Sequence, residues 1–314
     1  MKLNQNAARV CQEVIGAADR LRVAVYRDPS GCRVIDCGVN VPGGLEAGRL
    51  LSEVCMAGLG QVGFIADTSE SWRMPGVTVR TDHPVAACLA SQFAGWHIAV
   101  EGHFALGSGP MRAMAAKESL FEVIGHWQTD QTAVGVLETR QLPSTEVCRY
   151  VARQCRLDPE QLILLVAPAA SQAGTIQMVA RSVEMAVRRL LELGFDPDRV
   201  ESGFGAAPLP PVAASDLAAM GRAHDAILYG TEVTLWVRGD EKSLGAVGPH
   251  LTSSASKEHG QPFAGIFRQH NGDLYSIDPS LFAPAVVALF NLDTGRSFRF
   301  GRVLREVLQE SFTL

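Results

Sequence analysis

The sequence has no apolar run near the about 18 uninterrupted residues that a membrane-crossing helix needs. Its opening, Met1-Lys2-Leu3-Asn4-Gln5-Asn6, has neither the basic start nor the apolar stretch of a secretory signal. These absences set aside a membrane span and secretion, and predict a cytoplasmic protein. Basic residues give no surplus either: 28 Lys and Arg stand against 33 Asp and Glu, a net charge of −5. A nucleic-acid partner calls for a basic face, so that class is excluded. A small anionic ligand is not, because local charge governs its binding.

Metal and nucleophile motifs are missing too. The eight histidines form no H-E-x-x-H or H-x-H pair, and Cys32 and Cys37 have no second Cys or His pair at zinc spacing. The seven cysteines (Cys11, Cys32, Cys37, Cys55, Cys88, Cys148, Cys155) are odd in number and sit among apolar neighbours. They read as small buried hydrophobes in a reducing compartment, with no metal site. There is no G-x-S-x-G elbow. Gly58-Leu59-Gly60-Gln61-Val62-Gly63 matches the dinucleotide fingerprint, but that mechanism needs a strand before it and a helix after. Here a helix precedes and a strand follows, so the glycines predict a tight helix-to-strand turn.

What is present is the mixture of a folded globular chain, 47% hydrophobic and 19% charged. At roughly 100–200 residues per domain, 314 residues predict two domains. Leu142-Pro143-Ser144 marks a boundary, giving a first domain over 1–142 and a second over 143–314, with the C-terminal segment free to return to the first. The pattern predicts an N-terminal helix over 4–21 and strands at 22–26 and 33–37 about the turn Asp28-Pro29-Ser30-Gly31. A helix over 45–56 and strands at 62–66 and 77–81 follow, then one helix over 111–124. Next come a helix over 145–154, a strand at 162–166, one long helix over 175–193 and a parallel strand at 200–203. The Gly/Pro-rich run 203–211 reads as irregular. A short helix near 216–223, a strand over 226–237 and a hairpin turn at Asp293-Thr294-Gly295 complete the reading. This order predicts an α+β fold of two mixed α/β-type domains.

Two loop–helix units offer chemistry. Gly107-Ser108-Gly109-Pro110 before a helix, with Arg112, would suit a phosphate or carboxylate, or be an ordinary helix start. On the helix from Thr175, the residues Gln177, Arg181, Glu184 and Arg188 form a polar flank beside an apolar stripe. Glu184 lies nearest that stripe, where burial would raise its pKa and a guanidinium would oppose the rise. A carboxylate so tuned is a reasonable general base. An ordinary Glu184–Arg188 pair, contributing about 0.2–0.5 kcal/mol, explains the same spacing. Ala90-Ser91-Gln92 and Ala170-Ser171-Gln172 echo each other, by chance or as equivalent loops facing one pocket.

Several segments carry a resemblance over the whole chain: Val34-Ile35-Asp36-Cys37-Gly38-Val39-Asn40-Val41-Pro42-Gly43, Ala90-Ser91-Gln92-Phe93-Ala94-Gly95-Trp96, Gly107-Ser108-Gly109-Pro110-Met111-Arg112, Val166-Ala167-Pro168, Met220-Gly221-Arg222, Asp225-Ala226-Ile227-Leu228-Tyr229-Gly230 and Pro262-Phe263. The sequence resembles the methenyltetrahydromethanopterin cyclohydrolases. That resemblance implies two α+β domains with a large cleft between them, in a homotrimer. It implies hydrolysis of the cyclic methenyl cation to the 5-formyl compound, with no metal and no cofactor, tetrahydromethanopterin being the substrate carrier. It places the family's Arg-x-x-Glu pair on Arg181 and Glu184, around Ser182 and Val183. Candidate substrate-binding residues are those of the small-residue loops: Ser91 and Gln92, Ser108 and Gly109, Ser171 and Gln172. A use of Cys and Gln unlike that of archaeal relatives suggests bacterial formaldehyde oxidation. The competing readings are a related pterin or folate hydrolase and a catalytically inactive pterin-binding protein on the same scaffold.

Overall fold

The computed structural model describes residues 1–66 and 74–312. They form two units that interleave along the chain: Met1–Gln61 with Ala86–Gln177, and Val62–Val85 with Met178 onward. The boundary expected after residue 142 therefore falls inside the first unit. Residues 143–177 stay there because they supply a central strand of its sheet.

In chain order the elements begin with α1 (Leu3–Gly16), α2 (Ala18–Leu21), β1 (Ala24–Arg27), β2 (Arg33–Asp36), α3 (Leu45–Cys55), β3 (Gly60–Ile65) and β4 (Gly76–Thr81). A π-helical stretch over Val85–Gln92 precedes β5 (Trp96–Val100), β6 (His103–Ser108), α4 (Met111–Ala115), α5 (Leu120–Ile124) and β7 (Ala133–Glu138). Then come α6 (Thr145–Gln154), β8 (Leu162–Ala167), α7 (Gln172–Val179), α8 (Ser182–Glu192), β9 (Val200–Pro208) and α9 (Asp216–Gly230). The chain ends with β10 (Glu232–Val237), α10 (Glu241–Val247), α11 (Phe263–Gln269), β11 (Val286–Asn291), β12 (Ser297–Gly301) and α12 (Arg305–Phe312).

The sheet of unit 1 has the order β1-β2-β8-β7-β6-β5. Its middle strands β2, β8 and β7 are parallel, and its outer pairs are antiparallel. All six residues of β8 are buried, as a parallel strand covered on both faces requires. Ile163 and Leu165 join Cys11, Val14, Leu51 and Val54 from α1 and α3. Leu162 and Leu164 point the other way, into a core with Val147, Cys148 and Val151 of α6. The Ser144 hydroxyl caps α6 by accepting the Val147 N–H.

The sheet of unit 2 has the order β12-β11-β10-β9-β4-β3, and α8 and α9 pack on it. Its buried positions include Val77 and Val79 of β4, Val233 and Leu235 of β10, and Val287 and Leu289 of β11. The fold is thus α+β with two mixed sheets.

Five expectations are corrected. The run 203–211 is irregular only after Pro208: β9 reaches that residue, and it is antiparallel to both β4 and β10, not the parallel strand expected at 200–203. Its glycines are there for close approach, because Cβ atoms at Gly203 and Gly205 would lie 2.5 Å from Val183 Cγ1 and 2.5 Å from Ser182 Oγ. The expected strand over 226–237 is helix as far as Gly230. Ala226, Ile227, Leu228 and Tyr229 are all buried, and burial on every side erases the helical period from the sequence. The expected helix over 111–124 breaks at Ala116, whose φ of 44° is left-handed. The expected helix over 175–193 breaks at Ala180-Arg181 into α7 and α8. By contrast, Gly58 (φ 63°) forms the helix-to-strand turn between α3 and β3, and the turn at 293–295 joins β11 to β12.

Candidate active site

In unit 1, polar residues collect around the ends of the central strands. Parallel strands place ligands beyond their carboxyl ends in open α/β sheets, and β2 and β7 end on Asp36 and Glu138. Asp36 is fully buried, and its carboxylate accepts N–H groups from Gly38 (2.9 Å), Val39 (2.6 Å) and Asn40 (2.8 Å). Asp36 therefore shapes the loop that follows it.

Ser91 and Gln92 end the π-helical stretch and are both buried. The Ser91 hydroxyl donates to Cys55 O at 2.5 Å, and Ser91 O accepts the Gly109 N–H at 2.9 Å. Ser108 ends β6, with Oγ 3.4 Å from Cys55 Sγ. Ser91, Gln92, Ser108 and Gly109 thus belong to loops tied together through Cys55 and the Ser91 carbonyl. Ser171 lies in the turn before α7, where its hydroxyl donates to Pro168 O (2.7 Å) and accepts from Gly174 N (3.0 Å). Gln172 is the first residue of α7 and is half-buried. The sequence echo is not a structural one: the first Ser-Gln pair ends a helix, and the second begins one.

Arg112 does not offer its charge to an anion at the start of α4. Its guanidinium is fully buried between the rings of Phe93 and Phe121. It donates to Leu89 O, to Ser91 O and to the Glu118 carboxylate. Its work is to hold loops in place.

Sequence reasoning missed the partnership of Glu138 with Gln177. Gln177 Nε2 donates to Glu138 Oε2 at 2.8 Å, and Cys55 Sγ lies 4.0 Å from Gln177 Oε1. An acid closing an otherwise apolar strand was the available signal. The break at Ala180-Arg181 separates Gln177 from the rest of the flank it was grouped with.

In unit 2, Arg181 stands at the N-cap of α8 and Glu184 lies in its first turn. Met185 N–H donates to Arg181 O at 2.9 Å, opening the helix. Glu184 is only 2% exposed. Burial disfavours its charge, whereas its place at the α8 N-terminus favours it. Arg188 lies 3.3 Å from Glu192 and also donates to Phe282 O at 3.5 Å. The flanking residue Arg189 reaches Glu192 at 3.2 Å and His250 O at 2.9 Å.

His224, on α9, belongs to the same region: the charges of Arg188 and Arg181 both act on it. A separate concavity of about 530 Å³ in unit 2, lined by Met74, Glu232, Arg299, Arg302 and Arg305, includes none of the expected site residues. Among the described residues, no helix is long and apolar enough to cross a membrane.

A buried carboxylate one turn from an arginine, on an α+β scaffold, has the makings of an acid–base site. The family model described as Cyclohydrolase (MCH) matches residues 2–312. The chain belongs to that family. It is 43% identical to the methenyltetrahydromethanopterin cyclohydrolase of Rhodopirellula baltica over 91% of this chain and 87% of that protein. It is 40% identical to that of Methylobacillus flagellatus, over 99% and 95% of the two chains. It is also 40% identical to that of Methanothermobacter marburgensis, over the full length of both.

Proposed function

We propose that this chain hydrolyses 5,10-methenyltetrahydromethanopterin to the 5-formyl compound, with Glu184 as general base and acid and Arg181 orienting it. The carrying observation is the buried Glu184 in the first turn of α8, one turn from Arg181. The substrate carbon lies between two nitrogens that share a positive charge, so it is electrophilic without further activation. Glu184 removes a proton from water as the oxygen bonds to that carbon, giving a neutral carbinolamine. The protonated Glu184 then returns its proton to the departing nitrogen as the C–N bond breaks. Loss of the hydroxyl proton leaves the formyl carbonyl and accounts for the net proton released. Arg181 keeps the carboxylate ionised before attack.

No step needs a metal or prosthetic group, and turnover is proposed to survive chelators; loss that zinc restores would contradict this. The small-residue loops at Ser91, Gln92, Ser108, Gly109, Ser171 and Gln172 are proposed to contact the pterin. A cytoplasmic homotrimer in formaldehyde oxidation is the proposed setting.

The test is loss of methenyl absorbance with purified protein and each carrier. Turnover of the tetrahydromethanopterin compound supports the reading. Turnover of the tetrahydrofolate compound alone contradicts the carrier, and binding without turnover indicates an inactive pterin-binding protein.

A further inference from the structure

His224 sits midway along α9, and its ring is fixed on three sides. It stacks flat on Phe263, with centroids 4.2 Å apart and planes 10° from parallel. The ring of Phe282 meets it edge-on at 5.8 Å. Nδ1 lies 2.8 Å from Met220 O, one turn back on the helix. A carbonyl oxygen only accepts, so Nδ1 carries the proton, and in the neutral ring Nε2 is then a bare acceptor. Nε2 makes no hydrogen bond to any described residue, and the side chain is half-buried.

Burial, more than charge, explains why this acceptor stays neutral. Burial above all, with the guanidiniums of Arg188 and Arg181 acting the same way and the Met220 hydrogen bond opposing them, brings the His224 pKa from 6.5 down to about 4. The proposed substrate is itself a cation, so an imidazolium here would repel it. A neutral ring accepts an N–H without that cost. Pterins carry N–H donors along the pyrimidine edge, of the kind a lone-pair acceptor recognises.

We infer that His224 is a substrate-binding residue whose Nε2 accepts a hydrogen bond from an N–H of the pterin beside Arg181. This rests on the functional reading above and adds a determinant of affinity to it. His224 holds the ring, while Glu184, oriented by Arg181, serves the chemistry at the methenyl carbon.

The test compares purified H224F, which keeps a ring but removes the acceptor, with H224Q, which restores one. In H224F we expect KM for the methenyl substrate to rise about 5- to 10-fold, the effect of one lost hydrogen bond, with kcat changed less than about 2-fold. H224Q should recover most of the loss, and both should melt within a few degrees of the parent. An unchanged KM in H224F overturns the inference. So does an equal rise in KM in both variants, which would mark a packing role. If H224F does not fold, H224Q against H224L makes the same comparison of an acceptor with its absence, and equal KM values overturn it. Absence of turnover in the parent protein would instead contradict the functional reading beneath it.

Discussion

Gly205 on β9 lies directly against Ser182 on α8: a Cβ placed on the glycine would be 2.5 Å from the Ser182 hydroxyl oxygen. Ser182 is fully buried and stands between Arg181 and Glu184 in sequence. The strand therefore sets the seat of the helix start that carries the proposed acid–base pair.

That seat makes Gly205→Ala a test of positioning. The Ser182 hydroxyl could turn away from the added methyl, but Ser182 Cβ at 3.1 Å and Val183 Cγ2 at 3.2 Å would still crowd it, so α8 must give way. Overpacking of this kind costs about 1–3 kcal/mol. We expect urea denaturation to register that loss and turnover to fall about tenfold or more, because small misplacements of catalytic groups are costly. Gly245→Ala, where a Cβ would meet nothing within 4 Å inside exposed α10, should leave turnover unchanged and raise stability by about 0.5–1 kcal/mol. Normal turnover in a Gly205→Ala protein would mean that β9 does not position the site.

Asp225 gives the fold a pH dependence. It is only 1% exposed and accepts hydrogen bonds from Phe263 N–H (2.8 Å) and the Ser311 hydroxyl (2.5 Å). Burial nevertheless pushes its pKa from 3.8 up to about 7, outweighing both hydrogen bonds. A raised folded-state pKa means the folded protein holds this proton more tightly than the unfolded chain. The resulting stability is fully present below the unfolded value and is lost as pH rises through about 7. The loss is on the order of 3–5 kcal/mol. We expect Asp225→Asn to remove this fall, with the difference between the two proteins seen by urea denaturation at pH 5 and pH 8. Parallel pH profiles would contradict it.

All seven cysteines are buried and none is in a disulfide. Burial pushes Cys11 and Cys155 up to about 12, so thiolate is scarce at neutral pH. A chromogenic disulfide reagent should find almost no reactive thiol in the native protein and seven after denaturation. Rapid reaction of the native protein would show that the cores around these residues open readily.

Much of this was legible in the sequence where one rule dominated. The fully apolar β8, the helix over 145–154, the helix-to-strand turn at Gly58 and the hairpin turn at 293–295 each follow from a local pattern. Pattern failed where tertiary packing overrode it. Glycine at 203 and 205 signals irregular backbone, yet it serves a flat strand that must approach a helix. Ala226–Tyr229 has no polar face, so its helix was hidden. The candidate site divides the same way. Arg181 and Glu184 were legible as a spaced pair, helped by resemblance. The break before α8 is long-range packing, and the contact of Gln177 with Glu138 joins residues 39 apart. His224 looked like one scattered histidine because its aromatic cage comes from α11 and the segment before β11.

The most direct measurement is the turnover of Glu184→Gln, followed by loss of methenyl absorbance. The amide keeps the shape of the buried side chain but cannot take a proton from water. A fall in kcat of about 10²-fold or more, with KM little changed and the melting temperature preserved, is the predicted result. Near-parental kcat in a folded Glu184→Gln protein would contradict the account.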